Sequence, residues 1–373
     1  MYINDITISN FRNYEKLQIE LNRGINIIYG DNAQGKTNLL ESIYVLALTK
    51  SHRSFIDNNL IKNNEKQALI IGNLIKDNLN TKLEVKLNKT TKKLKIDNNE
   101  IKKVSDYISK INIIIFYPED LDIIKGSPSI RRRYINMELS QLYSNYINIL
   151  NDYNKLLKMR NDYMKSNFDY NKLDNNYFNI LTNYLIEKAI LIYRMRYKFI
   201  QKINLYAGDI FYNLSNIKGF VVNYNNYLET DDYSSTNLKK ILEIKFIESF
   251  EKEIKYRTTL IGPHRDDLEF VINNMNIKNY GSQGQQRMAI LALKLSEIEL
   301  FKNYTYSYPI LLLDDVFSEL DDNKKNNLLN YIDDNIQTII TTTDLNNIDQ
   351  SIKSKSKLIK IENGKIIDVK EVE

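Results

Sequence analysis

Short apolar runs fill the first third of the chain, and a helical stripe fills its middle. Ile3 to Ile8, Leu17 to Leu21 and Ile25 to Tyr29 are brief apolar stretches between polar turns, and each predicts a β-strand. Gln67 to Ile75, Lys82 to Leu87 and Lys93 to Ile96 predict three more, broken by Asn-rich connections such as Asn98-Asn99. Ile111 to Tyr117 is another apolar strand, ending at Pro118. From Arg133 the period changes. Ile135, Leu139, Leu142, Tyr146, Ile149, Tyr153 and Leu156 alternate by four and three, a heptad stripe that predicts one long helix. A polar break over Lys165 to Asn176 follows, and Leu181, Leu185, Ala189, Ile192, Phe199, Ile203 and Tyr206 predict a second helix. Two such helices are most simply antiparallel neighbours, each of about 30 residues and about 45 Å. The stripe reads as packed helical core. Beyond it the pattern is mixed: a polar loop over Asn223 to Asn237, a helix over Leu238 to Phe250 and a strand over Leu268 to Val271. A helix over Ser282 to Leu300, a buried strand over Ile310 to Leu313, a helix over Lys324 to Ile332 and a last core strand over Gln337 to Ile340 complete it. An α/β unit is thus split around a helical insertion.

A chain of 373 residues suggests two domains, or one with a large insertion. With Cys 0 there is no disulfide framework or thiolate metal site, and with His 2 neither a zinc site nor a His-based triad is expected. No apolar run reaches membrane-spanning length, and Met1 to Thr7 already reads as structure rather than signal peptide, so a cytoplasmic protein without membrane contact is expected. The net charge of +5 permits nucleic-acid binding without demonstrating it.

Candidate chemistry begins at Gly30-Asp31-Asn32-Ala33-Gln34-Gly35-Lys36-Thr37. This eight-residue phosphate-binding loop lies between the apolar run Ile25 to Tyr29 and the apolar stretch Leu39 to Leu48, the strand–turn–helix context that the motif requires. Glycines let backbone N–H groups approach phosphate oxygens, Lys36 reaches the β- and γ-phosphates, and the Thr37 hydroxyl ligates Mg²⁺. The start of the helix adds its partial positive charge. A nucleoside triphosphate is the expected ligand. Ile310-Leu311-Leu312-Leu313 then delivers Asp314 and Asp315 at the end of a buried strand. Asp314 is expected to hold Mg²⁺ through water, and Asp315 to polarise the attacking water. Ser282-Gln283-Gly284-Gln285 opens a helix about 30 residues earlier, a second anion site. One γ-phosphate cannot easily use two such sites on one chain. A head-to-tail pair resolves this, with Ser282, Gly284 and Gln285 of one copy capping the nucleotide held by Lys36 of the other.

In these motifs the chain resembles ABC-type ATPases, specifically their SMC-like, DNA-acting branch; Ser318-Glu319-Leu320-Asp321 looks like that class's dimer-contact loop. The resemblance narrows to the RecF family through Asn10-Phe11-Arg12-Asn13-Tyr14, Ser51-His52-Arg53, Tyr117-Pro118-Glu119-Asp120-Leu121 and Lys125-Gly126-Ser127-Pro128. Arg131-Arg132-Arg133-Tyr134 and Gly262-Pro263-His264-Arg265-Asp266-Asp267-Leu268 extend it along nearly the whole chain. It implies an ABC-type ATPase head with mixed β-sheets plus an inserted α-helical lobe. The head would occupy 1–125 and 256–373, and the lobe 126–255. It also implies ATP and Mg²⁺ as cofactors and an ATP-dependent homodimer. DNA would be bound as single strand, duplex and gap junction. RecR is the implied partner, with RecO and RecA in the same pathway, in recombinational repair, the SOS response to DNA damage and replication-fork maintenance. An SMC-like structural DNA clamp is the alternative. Two departures stand out. Thr341-Thr342-Thr343-Asp344 occupies the place where most ABC ATPases carry a His, and Asp315 replaces the usual Glu; its shorter reach implies slow hydrolysis, suited to a switch.

Other residues carry two readings. Arg12, with Asn13, is placed with the nucleotide, or Arg12 is a surface charge beside a strand. Arg131 to Arg133 bind phosphate backbone or simply start a helix. His264 and Arg265 sense nucleotide or couple lobes, or His264 is a satisfied structural residue. Asn171-Lys172-Leu173-Asp174 spells a guanine-specificity motif, but its flanks are polar and helical rather than a buried strand, so ATP is expected over GTP.

Overall fold

The computed structural model describes residues 1–54, 56–166, 174–319, 325, 328, 332, 335–346 and 348–371. Among these, the chain forms two compact units. The first comprises Met1–Leu121, Ile210–Asn216 and Ile290–Glu373, and the second Asp122–Asp209 and Ile217–Ala289. Residues 256–289, expected with the head, thus cluster with the inserted unit, where the segment Asp267–Ile272 pairs with Phe220–Asn225. The architecture is α/β, with mixed sheets and a helical insertion.

Two six-stranded sheets build the first unit. Strands β1 (Tyr2–Phe11), β2 (Tyr14–Glu20), β4 (Gln67–Lys76), β5 (Leu79–Asn88), β6 (Lys92–Ile96) and β7 (Asn99–Glu100) form one, ordered β2-β1-β4-β5-β6-β7 and antiparallel throughout. The second holds β3 (Ile25–Tyr29), β8 (Ile113–Phe116), β12 (Ile310–Asp314), β13 (Thr338–Thr342), β14 (Ser356–Glu362) and β15 (Lys365–Glu371), ordered β15-β14-β3-β13-β12-β8. All its pairings are parallel except β14 with β15. A parallel sheet covered on both faces reads as continuous apolar sequence, and Ile310 to Leu313 are all fully buried. The helix Lys36–Leu48 touches β4 and β5 of one sheet and β12 and β13 of the other. That is why Leu39 to Leu48 are buried around the whole circumference rather than along one stripe.

The expectation that Gln337 to Ile340 is the last core strand is corrected. β14 follows it and pairs with β3, and β15 closes the edge. Lysines interleave with the apolar residues there, so the segment did not read as core; Lys357 is nonetheless buried and paired with Glu371.

The second unit carries a three-stranded sheet, β9 (Phe220–Asn225), β10 (Asp267–Ile272) and β11 (Met275–Asn276), ordered β11-β10-β9. β9 takes the first residues of the expected polar loop. The heptad stripe is two helices, Pro128–Leu142 and Tyr146–Ser166. Tyr143 is extended between them, and Ser144-Asn145 supply the cap-forming residue types that restart a helix. Ile135, Leu139, Tyr146 and Tyr153 are still buried. The next helix, Asn175–Ser215, runs 41 residues. It lies antiparallel to Tyr146–Ser166, as expected: Asp152 meets Lys188, Arg160 meets Thr182, and Tyr163 meets Tyr177. Ser235–Tyr256 and Gln283–Thr305 are helical too. The helix expected over 324–332, positions 320 and 321 of the expected dimer-contact loop, and positions 171–173 of the guanine-type tetrapeptide lie wholly or partly outside the described residues.

Candidate functional site

Three neighbouring parallel strands end at one level. The ladder sets Tyr29 of β3 opposite Thr342 of β13, and Thr341 opposite Asp314 of β12. Ligand crevices form outside such strand ends. Here a cleft of ≈ 350 Å³ opens, lined by the loop and helix residues Asn32, Ala33, Gly35, Lys36, Thr37 and Asn38. Arg53, Asp314, Asp315, Thr341 and Thr343 line it too.

The loop's glycines are required by geometry. Gly30 has φ +149 and Gly35, the residue preceding the helix, has φ +112. A Cβ on Gly30 would collide with the Ile361 carbonyl, and one on Gly35 would lie 2.6 Å from Asn13 Nδ2 and 3.0 Å from the Tyr14 hydroxyl. The loop is braced from outside: Tyr14 donates to Gly35 O at 2.9 Å, Asn363 N to Gln34 Oε1 at 2.6 Å, and Gly364 N to Gln34 O at 3.0 Å. Asn13 donates to Gln34 O at 3.4 Å and accepts from Asn38 at 2.8 Å. Gln34 and Asn13 therefore hold the loop's shape, while Asp31 accepts through its carbonyl.

Lys36 Nζ donates to the carbonyls of Gly30 (2.7 Å) and Asp31 (2.8 Å). Burial pulls its pKa down, and Asp315, Asp314 and Asp31 oppose that shift. Asp314, 5% exposed, accepts on Oδ1 from Thr37 Oγ1 at 2.8 Å and Thr341 Oγ1 at 2.6 Å. Burial raises its pKa, and the two hydroxyls and Arg53 counteract it. Thr37 and Asp314 thus meet. They are hard oxygen donors, the kind Mg²⁺ takes in small number alongside phosphate oxygens. Among the described residues no group of three or more His, Cys, Asp or Glu side chains could hold a metal by itself. Asp315 follows in the left-handed region, φ +53, with its N–H on Thr341.

Arg12 does not line the cleft. Its guanidinium grips Glu41 through two 2.8 Å bonds and donates to Asn59 O at 2.8 Å. Glu41 is fully buried on the helix Lys36–Leu48. Burial pushes its pKa up, but Arg12 and the Ser51 hydroxyl outweigh that and hold the carboxyl below its usual range. Arg53 stands 3.8 Å from the same carboxylate and is 40% exposed toward the cleft. Glu41, Arg53 and Asn38 were not singled out as site residues in the sequence. Glu41 lies five residues beyond Lys36 on a helix, and only the fold reveals its two arginines.

Ser282, Gly284 and Gln285 belong to the second unit and do not line this cleft. Ser282 N donates to Gln285 Oε1 at 2.8 Å and Gln285 N to Ser282 Oγ at 3.2 Å, a reciprocal capping box. Ser282 to Gly284 are exposed. A Cβ on Gly284 would meet only Ser282 Oγ at 3.9 Å, so nothing within the fold forbids a side chain there.

Two of the remaining motifs, residues 131–134 and 262–268, bond to one another inside the second unit. Arg131 pairs with Asp267 at 2.5 and 2.9 Å and donates to Gly126 O at 2.9 Å, and Arg132 donates to Asp266 O at 2.7 Å. The Arg131 guanidinium is thus committed within the fold, and Arg132 commits one donor there. His264 is held by Tyr153 at 2.6 Å and Thr259 O at 3.1 Å, which is the satisfied structural histidine.

A family model described as the RecF/RecN/SMC N terminal domain matches residues 2–367. A DNA replication and repair protein RecF of Bacillus cereus (strain AH820) is 42% identical over 371 residues, 98% of each chain. That of Bacillus anthracis (strain A0248) matches equally. Among solved structures, the recombination mediator protein RecF-ATP in the RecFOR pathway superposes with a TM-score of 0.91 at 33% identity, over 99% of this chain and 98% of that one. An Smc head bound to the C-winged helix domain of ScpA, at 16% identity and a TM-score of 0.57, shares the fold alone. Among the described residues no helix is long and apolar enough to cross a membrane.

Proposed function

The chain belongs to the RecF family of DNA replication and repair proteins, and from that premise we propose that it is an ATP-switched, DNA-binding recombination mediator. The observation that carries this reading is the cleft itself: the phosphate loop, Lys36, and the Thr37–Asp314 pair stand together at the ends of three parallel strands. Residues 30 to 37 wrap the phosphates with backbone N–H groups, and Lys36 leaves its loop carbonyls for the β- and γ-phosphates. Thr37 and Asp314 hold Mg²⁺, which when bound neutralises charge on those phosphates. Arg12 and Asn13 support the loop and its helix from behind, Arg12 through Glu41 and Asn13 through Gln34 and Asn38. Asp315 orients the attacking water, and its short reach makes turnover slow, as a switch requires.

The signature segment serves a second copy of the chain. Gly284 lies in the first turn of its helix with open space around it, which supports close approach by a group from outside the chain. A homodimer closed by two ATP molecules brings two modest basic surfaces onto one DNA, so affinity rises with ATP and falls steeply with salt. Single strands, duplex and gap junctions are the DNA class, RecR the direct partner, and RecO and RecA the pathway, in the cytoplasm.

The test is Ser282→Asp. Aspartate keeps the helix cap but sets a carboxylate where the partner's phosphate docks. Single-chain ATP affinity is expected to stay at the parent value, while the ATP-dependent dimer in sedimentation and ATP-stimulated binding of gapped DNA both disappear. A dimer that persists with ATP removes the head-to-tail arrangement.

A further inference from the structure

At the end of β13 one hydroxyl meets both acids of the cleft. Thr341 stands opposite Asp314 in the parallel ladder. Its Oγ1 donates to Asp314 Oδ1 at 2.6 Å and accepts from the Asp315 backbone N–H at 3.1 Å. The Leu313 carbonyl lies 3.4 Å from the same oxygen, too distant and uncharged to compete with a carboxylate for the single hydroxyl proton. The polarity is therefore fixed: in from the amide, out to the carboxylate, each bond strengthening the other. Thr37 Oγ1 reaches the same Asp314 oxygen from the opposite side of the sequence, at 2.8 Å. Two hydroxyls on Oδ1 fix the carboxylate plane. The Asp315 amide bond also supports a backbone with φ +53, a conformation that a non-glycine residue keeps only when its surroundings hold it. The neighbouring Thr342 spends its hydroxyl on the Asp344 carbonyl, at 2.9 Å, within its own turn.

We propose that Thr341 is the positioning residue of this cleft, orienting the Asp314 carboxylate toward a divalent cation and fixing the turn that aims Asp315. The inference rests on the nucleotide reading of the cleft and assigns a role that neither the phosphate loop nor the acids fulfil alone. Thr341 touches no phosphate in this scheme. Its effect passes through Asp314 to the cation and through the backbone to Asp315.

The experiment uses Thr341→Val and Thr341→Ser in the full chain. Valine keeps the β-branched shape that suits a buried strand and removes the hydroxyl. The Asp315 N–H retains the Thr341 carbonyl at 3.2 Å, so the turn keeps a partner. Binding of a fluorescent ATP analogue is titrated with Mg²⁺ and repeated in EDTA. The expected result for Thr341→Val is a half-saturating Mg²⁺ raised about tenfold, the scale of one charge-assisted hydrogen bond, with nucleotide affinity in EDTA unchanged and ATP turnover slowed. Thr341→Ser is expected to stay close to the parent. Parent-like Mg²⁺ dependence in Thr341→Val overturns the proposal, and so does Thr341→Ser as impaired as Thr341→Val, which would assign the effect to packing of the methyl group. A parent chain that binds no nucleotide with or without Mg²⁺ removes the nucleotide reading itself, a failure distinct from the other two.

Discussion

Two regions of this molecule are rich in charged residues, and they use them oppositely. In the second unit the charges close on one another. Arg196, 2% exposed, donates to Asp266 Oδ2 at 2.9 Å, to Pro263 O at 2.6 Å and to Asn136 at 3.0 Å, while Tyr224 donates to the same Asp266 carboxylate. Arg160 lies between the Phe178 and Phe246 rings and donates to Glu253, Thr259 and Thr182. Around the cleft of the first unit, by contrast, Lys36, Arg53, Asp314 and Asp315 share a concave surface with backbone groups of a tight loop. A charge becomes chemistry where its partners leave one face open; where carboxylate, carbonyl and hydroxyl enclose it, the same charge is scaffold.

The sharpest way to break this contrast is Arg196→Leu. Removing one member of a buried pair leaves Asp266 desolvated and uncompensated, which costs about 3–5 kcal/mol. Urea denaturation is expected to show a loss on that scale, with ATP affinity of the folded fraction unchanged. A loss below about 1 kcal/mol would mean that water already reaches the pair, and that it is not closed scaffold.

The mirror experiment is Lys36→Ala. The lysine's bonds in the fold go to two loop carbonyls at the cleft, so its removal is expected to change stability by less than about 1 kcal/mol. ATP affinity is expected to fall by about 2–3 kcal/mol, the value of hydrogen bonds from a charged donor to phosphate. A fluorescent-nucleotide titration with unchanged affinity would move this cleft into the scaffold class.

The cleft was legible where local sequence dictates local backbone. Gly30 and Gly35 announce positive φ, and the apolar runs on either side announce the strand and the helix, so the phosphate loop could be read from eight residues. Asp314 was legible because a wholly apolar strand precedes it. What remained hidden is pairing across distance. Arg131 and Asp267 lie 136 positions apart, and no local pattern distinguishes an arginine committed to a carboxylate from one offered to DNA. Glu41 reads as an ordinary helix residue until Arg12 and Arg53 converge on it. β14 escaped because parallel pairing to β3 buries lysine-interleaved residues that elsewhere would face water. The break at Tyr143 escaped because the heptad stripe continues in register across it.

The smallest effect concerns His264, and it tests whether the second unit's network excludes water as completely as its hydrogen bonds suggest. Burial pushes the His264 pKa down from 6.5 to about 4; its bond to the Thr259 carbonyl opposes this, and Arg265, Arg132 and Arg196 add to it. The folded chain therefore keeps the imidazole neutral in a range where the unfolded chain binds a proton. With more protons on the unfolded state, the stability due to this group is full above pH 6.5 and is lost as pH falls toward 4. Between pH 6.5 and 5.5 the loss is about 1 kcal/mol. Asp266 moves the other way, since burial raises its pKa to about 6 and its contribution falls as pH rises through the range below that value. The sum over the parent chain is consequently flatter than either group alone. Comparison with His264→Gln isolates the histidine, because Asp266 titrates in both chains. The parent's advantage over His264→Gln is expected to shrink by about 1 kcal/mol from pH 6.5 to 5.5, read from urea midpoints at the two pH values. An advantage that stays constant would place the imidazole in contact with solvent, and the Tyr153–His264–Thr259 chain would then belong with the open cleft rather than with the closed network.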